Sequence, residues 1–230
     1  MSQISDDVSS LQSSVEVLEL PENSLLGDIS SLMAEIAIIT SSELYQRSRL
    51  EARNSQTSRL SSENFPYVEG SPFKGIISSR SSECGRNVHE NGVVSITASS
   101  NHGNQCHQVT NYDWNDWWIT NNEPKSWICF DFKEKRVNLT GYSLKSDGLS
   151  HYNLLQWVVE GSNDAKTWRE LDNRDTQDLS RAFVVKSYSC QSPASESFRY
   201  IRLRQTGKNS YGKHYLFLSE IEFFGTLHRT

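Results

Sequence analysis

Nothing in these 230 residues approaches the roughly 20 consecutive apolar residues that a membrane-spanning helix needs. The start, MSQISDDVSSLQSS, has neither the basic n-region nor the apolar h-region of a secretory leader. The sequence therefore reads as that of a cytoplasmic protein. Cysteine is sparse: the four residues at 84, 106, 129 and 190 form no CxxC pair. Without a leader they are expected to be reduced thiols rather than a disulfide framework. On the same grounds the sequon Asn138-Leu139-Thr140 is expected to go unglycosylated. A basic excess is also missing. Residues 63–230 carry 19 basic and 19 acidic side chains, which argues against nucleic acid as a partner and against general attraction to anionic lipid. There is no GxSxG, HExxH, phosphate-cradling glycine loop or dinucleotide fingerprint, so nothing in the motifs supports an enzyme.

Lysine and tryptophan are absent from residues 1–62, which hold one tyrosine, four arginines and nine acids. What this stretch does have is a heptad pattern. Ile4, Leu11, Leu18, Leu25, Leu32 and Ile39 occupy d positions, and Val8, Val15, Ile29 and Ile36 occupy a positions, with Glu22 the one polar intruder. β-Branched residues at a with leucine at d favour a two-stranded parallel coil. Pro21 interrupts it, because a proline inside a helix costs about 3 kcal/mol, and Gly27 weakens the same place. The spacing predicts two helices, near 4–19 and 22–39, with Pro21 in the first turn of the second. Thr40-Ser41-Ser42-Glu43 fits a capping box and predicts a third helix to about residue 60. Three readings follow: an oligomerising coil through residues 4–39, a helical arm packed on its own domain, or a disordered segment.

From residue 63 onward, runs of aromatic and β-branched residues alternate with Gly, Asn, Asp and Ser clusters, the mark of a sandwich or barrel. Strands are expected near 73–78, 93–98, 127–133, 139–145, 155–162, 181–187, 198–206 and 217–224. In Trp127-Ile128-Cys129-Phe130-Asp131-Phe132, alternation sets Ile128, Phe130 and Phe132 on one face. With no long helices between strands, the sheets should be mostly antiparallel. The chain thus divides into a helical segment, 1–62, and an all-β domain, 63–230.

Several strings in that domain are recognisable. Ile96-Thr97-Ala98-Ser99-Ser100, Trp118 and Ser126–Phe132 come first. They are followed by Val159-Glu160-Gly161-Ser162-Asn163-Asp164-Ala165-Lys166-Thr167-Trp168, then by Phe198–Arg204 and Leu218–Gly225. In this order over roughly 73–226 they resemble a discoidin domain, the coagulation factor V/VIII C-type domain of the galactose-binding-like superfamily. The opening FPYVEGSPFKGII and CGRNVHENG are similar to versions attached to intracellular scaffold proteins. The resemblance implies an eight-stranded antiparallel jelly-roll sandwich, non-catalytic, with ligand loops gathered at one end. Two departures stand out. Ala165 occupies a turn position where the family usually has glycine, and no cysteine follows Cys190 to close a terminal disulfide.

The stretch Tyr112–Trp127 holds four of the six tryptophans. By the resemblance Trp118, Trp127, Trp157 and Trp168 belong to the framework and are expected in the interior. Trp114 and Trp117 match no framework position; a ring beside Asp113, Asn115 and Asp116 would stack on a sugar or anchor a protein. The resemblance sets the ligand loops at Asn101–Asn111, Ser146–Asn153 and Thr206–Tyr215. They supply His102, Asn104, His107, Asp147, His151, Tyr152, Asn209, Tyr211 and His214, polar groups with nearby rings that suit a glycan or a polar protein surface. Their tips hold only Val109 and Leu149 as aliphatic residues, too little for insertion into a bilayer. His102…Cys106-His107 lacks a usual zinc spacing. No cofactor is required, although some family members hold a structural calcium, with Glu220 at the matching position. The function read from the sequence is glycan recognition by an oligomer, with protein–protein scaffolding through the same loops as the alternative.

Overall fold

The structure is a computed structural model that describes residues 22–60, 62–149, 151–192 and 195–229. The chain separates into two units, Met1–Thr57 and Ser58–Thr230. No described helix is long and apolar enough to cross a membrane.

Helix α1 runs without a break over Glu22–Leu60. The helix expected near 4–19 lies outside the described residues, with Ile4, Val8, Leu11, Val15 and Leu18. The expected restart at Thr40 does not occur. Instead of capping a new helix, the Thr40 hydroxyl donates back to the carbonyls of Ile36 and Ala37, and Ser41 donates to that of Ile38. Serine and threonine inside a helix satisfy their hydroxyls this way without ending it. Ile29, Leu32, Ile36 and Ile39, four consecutive a and d positions, are each more than half exposed.

In the second unit the elements follow as β1 (Ser62–Phe65), helix α2 (Ile76–Cys84), β2 (Ser95–Ala98), a 3-10 turn at Cys106–Thr110, and β3 (Trp118–Ile119). Then come β4 (Trp127–Asp131), β5 (Lys135–Lys145), β6 (Gln156–Ser162), β7 (Arg169–Asp175), β8 (Val185–Ser189), β9 (Tyr200–Gln205), β10 (Phe217–Leu218) and β11 (Glu220–Arg229). One sheet has the order β1-β11-β5-β8, the other β2-β4-β9-β6-β7, and β3 and β10 pair as a short ribbon. All pairings are antiparallel. The chain passes back and forth between the sheets, giving the expected jelly-roll sandwich. It has more strands than expected, with β1, β3 and β7 arising where the sequence suggested none.

Residues 76–84 are helical where a strand near 73–78 was expected. The reason lies 145 residues away. Glu222 on β11 is fully buried, and its carboxylate accepts from the backbone N–H groups of Gly75 at 3.1 Å, Ile77 at 2.8 Å and Ser78 at 2.9 Å. Free N–H groups at a helix start need acceptors, and an anion there is favoured. This carboxylate thus caps α2 from another part of the chain, which no local pattern reveals.

The interior is filled by Trp118, Trp157, Tyr142, Phe130, Phe132 and Phe223, none more than 2% exposed. Trp118 and Trp157 are therefore framework rings, as expected. Trp127 and Trp168 are not interior. Both are only half-buried and line a groove on the outer face of the five-stranded sheet. Strand alternation explains the correction for Trp127: if Ile128 and Phe130 point inward, Trp127 and Cys129 must point outward.

Candidate ligand site at the loop end

Two of the three expected loops interlock. Ser210 donates its N–H to the carbonyl of Asn153 at 3.1 Å and its hydroxyl to that of His151 at 2.7 Å, while Asn153 N–H donates to Ser210 Oγ. This brings Tyr152 against four rings: Phe217, stacked at 4.9 Å between centroids, Tyr211 at 5.0 Å, Tyr215 at 5.9 Å and His151 at 6.5 Å. Each such pair adds about 0.5–1.5 kcal/mol beyond area burial, so the cluster stiffens the loops. Its outermost member is Tyr211, 59% exposed, with exposed Lys208 and Lys213 nearby in the chain and exposed His151 beside Tyr152.

The first loop joins the same end through β3. His102 N–H donates to Ile119 O at 2.9 Å, and Ile119 pairs with Phe217, on which Tyr152 stacks. His214 N–H donates to Asn122 Oδ1 at 2.8 Å. Exposed His102, half-buried His214 and the Tyr152–Tyr211 edge are thus carried on adjoining segments.

Other candidates shape the site instead of presenting themselves. Asn209 is 3% exposed; its Oδ1 accepts from Tyr211 and Lys213 N–H, and its Nδ2 donates to Tyr215 O, so it folds the loop that holds Tyr211 outward. Asp147, 1% exposed, accepts from Leu149 N–H and organises the second loop. Asn104 is half-buried and ties down the following segment by donating to Asp116 Oδ2 and Trp117 O. These are corrections to a surface role: a short polar side chain among loop N–H groups satisfies backbone first. Trp114 is half-buried and packs against the core. Trp117 lies by Gly148 and Phe183, where a Cβ on Gly148 would meet both rings.

His107 turns elsewhere. Its ring stacks on that of His89 at 4.7 Å, and Nε2 lies 3.6 Å from Glu90 Oε1. His89 Nδ1 accepts from Ile96 N–H, and burial lowers its pKa. Cys106 is buried with its thiol toward Ile96 O, and burial pushes that thiol up to about 11. His102, Cys106 and His107 therefore do not converge on a cation. No group of three His, Cys, Asp or Glu that could hold a metal occurs among the described residues. Glu220, the position that the resemblance offers to calcium, is 1% exposed and holds Lys145 Nζ at 2.6 Å. Burial keeps its carboxyl above the ordinary range against the pull of Lys145. With an ammonium already on the carboxylate, these side chains do not fit a calcium. All four cysteines are free thiols.

No family model matches the chain. A 111-residue stretch is 31% identical to the E3 ubiquitin-protein ligase Ufd4 of Drosophila melanogaster, covering 46% of this chain and 4% of that protein. A 91-residue stretch is 34% identical to the E3 ubiquitin-protein ligase hecd-1 of Caenorhabditis elegans, covering 38% of this chain and 3% of that protein. The chain thus matches only a small fraction of the length of these curated relatives. Among solved structures it is similar to CpGH89CBM32-5 from Clostridium perfringens, solved in complex with GalNAc-β-1,3-galactose. That match has 16% identity and a TM-score of 0.48, covering 58% of this chain and 96% of that one. The CBM32 of AlyQ, solved with 4,5-unsaturated mannuronic acid, is 20% identical with a TM-score of 0.46, covering 57% of this chain and 95% of that one.

Proposed function

We propose that the β-domain is a non-catalytic recognition module that takes a carbohydrate at the loop end, against the Tyr152–Tyr211 edge. One observation carries this: an exposed Tyr211 braced through Tyr152 on the rings of Phe217, Tyr215 and His151. A sugar has an apolar C–H face and a rim of hydroxyls. A fixed aromatic face with a few polar neighbours answers both, and bracing lowers the entropy lost on binding. The solved structures in complex with GalNAc-β-1,3-galactose and with 4,5-unsaturated mannuronic acid support the same ligand class. The helical segment would pair chains, and two sites on one assembly would raise avidity by about 10²–10⁴-fold.

The second reading is a scaffold that grips a protein through the same edge. It is favoured by the higher identities, 31% and 34%, to segments of two E3 ubiquitin-protein ligases. A glycan array probed with the full chain and with Tyr211→Ala separates the readings. Carbohydrate recognition requires specific signals that Tyr211→Ala abolishes. No array signal, with a protein captured from lysate and lost in Tyr211→Ala, selects the scaffold.

A further inference from the structure

The outer face of the five-stranded sheet carries a groove of about 280 Å³ that shares no lining residue with the loop-end cluster. Strand register builds it. Trp127, Cys129 and Asp131 on β4 stand opposite Arg204, Arg202 and Tyr200 on β9, and Thr97 on β2 stands opposite Cys129. Trp168 closes the groove from the turn before β7. The walls are therefore two indoles and a phenol ring. Cys129 on its floor is an uncharged thiol, since burial pushes its pKa up to about 12.

Each carboxylate around this groove holds two cations. Glu160 accepts Arg202 at 2.7 Å and Arg204 at 2.6 Å, and Asp131 accepts Arg199 at 2.7 Å with Lys133 at 3.4 Å. The Arg202 guanidinium also lies 3.8 Å from the centre of the Trp168 ring, which fixes that indole in place. A guanidinium has five N–H donors, more than a shared carboxylate uses, so donors remain for a neutral acceptor. Ser95 and Thr97 add hydroxyls along one wall. Trp118 and Trp157 are buried at 0% exposure. Trp127 and Trp168 instead stay open on a cavity.

We infer that this groove is a second carbohydrate subsite, which takes a short glycan segment between Trp127 and Trp168. The inference rests on the proposed ligand class of the domain but not on the loop-end residues. A short ligand is specified because the groove, about 280 Å³, lies just below the roughly 300–1,000 Å³ of ligand pockets.

The test is ¹⁹F NMR of the full chain carrying 5-fluorotryptophan, with Trp127→Phe and Trp168→Phe assigning those two signals. The probes are galactose, GalNAc-β-1,3-galactose, cellotetraose and chitotetraose at millimolar concentration. The expected result is saturable movement of the Trp127 and Trp168 signals with at least one tetrasaccharide or disaccharide, while Trp118 and Trp157 stay still. The movement should persist in Tyr211→Ala and vanish in Thr97→Tyr, a surface change that fills the groove, with cooperative thermal unfolding retained in both. Movement lost in Tyr211→Ala would overturn the inference, since the indoles would then only report the loop end. Sugar binding that depends on Tyr211 with silent groove indoles would overturn it and leave the loop-end site standing. Silence of both indoles with all four sugars would overturn it as well.

Discussion

Tyr142 on β5 donates its phenol to Asp172 on β7 at 2.6 Å, joining the two sheets through the middle of the sandwich. The same oxygen accepts from Trp157 Nε1 at 2.8 Å, and Asp172 also accepts from Arg174 Nε at 2.7 Å and Gln191 N–H at 3.1 Å. Burial, with Asp172 alongside, keeps the phenol protonated far above its ordinary range. Tyr142→Phe leaves the ring in place but strips Trp157 of its acceptor and Asp172 of a donor. A buried group left without its partner costs about 1–3 kcal/mol, and denaturant unfolding should show that loss with an unchanged m-value.

Ala165 sits at φ 58°, in the left-handed region, within the turn joining β6 and β7. The turn accepts alanine where the resemblance leads one to expect glycine, at a backbone cost that glycine avoids. Ala165→Gly should therefore stabilise the domain by about 0.5–1 kcal/mol, despite the entropy glycine adds to the unfolded chain. Thermal unfolding of the two proteins side by side checks this.

The same turn sets part of the acid limb. Asp164 accepts from Thr167 N–H at 2.7 Å, Lys166 N–H at 2.8 Å and Ser162 Oγ at 3.0 Å. These bonds, Thr167 first, hold its carboxyl well below the ordinary range. A depressed folded pKa gives stability that is present above the unfolded value and lost as pH falls through the folded one. The domain should lose stability as pH drops below about 4. Asp164→Asn should be less stable at neutral pH and show a flatter acid limb. An identical slope in both proteins would remove Asp164 from this role.

The exposed stripe Ile29, Leu32, Ile36, Ile39 on α1 keeps the heptad register read from the sequence. If it pairs chains, light scattering at tens of micromolar should give a dimer or larger. Leu32→Glu with Ile36→Glu should reduce the mass to that of one chain without changing the β-domain's melting. A single-chain mass for the unaltered protein would instead make α1 an arm of its own chain.

The fold was legible where its causes were local. Period-two alternation in Trp127–Phe132 located β4 and its inward face, and the apolar run near 155–162 located β6. It was not legible where a distant residue decided. Helix α2 exists because Glu222, 145 positions along the chain, accepts its first N–H groups. The unbroken α1 shows the reverse error, a local cap signal that the continuing helix overrode by turning the Thr40 hydroxyl back onto Ile36 O. At the candidate site, sequence named Tyr152 and Tyr211, whose rings the fold sets 5.0 Å apart, but could not tell a presented polar group from one that folds the loop. Asn209 and Asp147 look like ligands by residue type and are spent on backbone N–H groups. Tyr215 and Phe217, which brace Tyr152, lay at a loop end and in a strand, where only tertiary contact joins them. Outward Trp127 followed from the alternation already read, yet family position suggested the interior.

Titration calorimetry of an array-positive sugar into the full chain, Tyr211→Ala and Tyr152→Ala decides whether the loop-end aromatic edge is the binding surface. Tyr211→Ala should lose at least tenfold in affinity, about 1.4 kcal/mol, while the domain still melts cooperatively and loses no more than the roughly 0.5–1.5 kcal/mol of the Tyr152–Tyr211 ring pair. Tyr152→Ala should lose affinity and some stability together, since that ring holds the cluster. Full affinity in Tyr211→Ala would contradict the assignment and move the sugar to another surface.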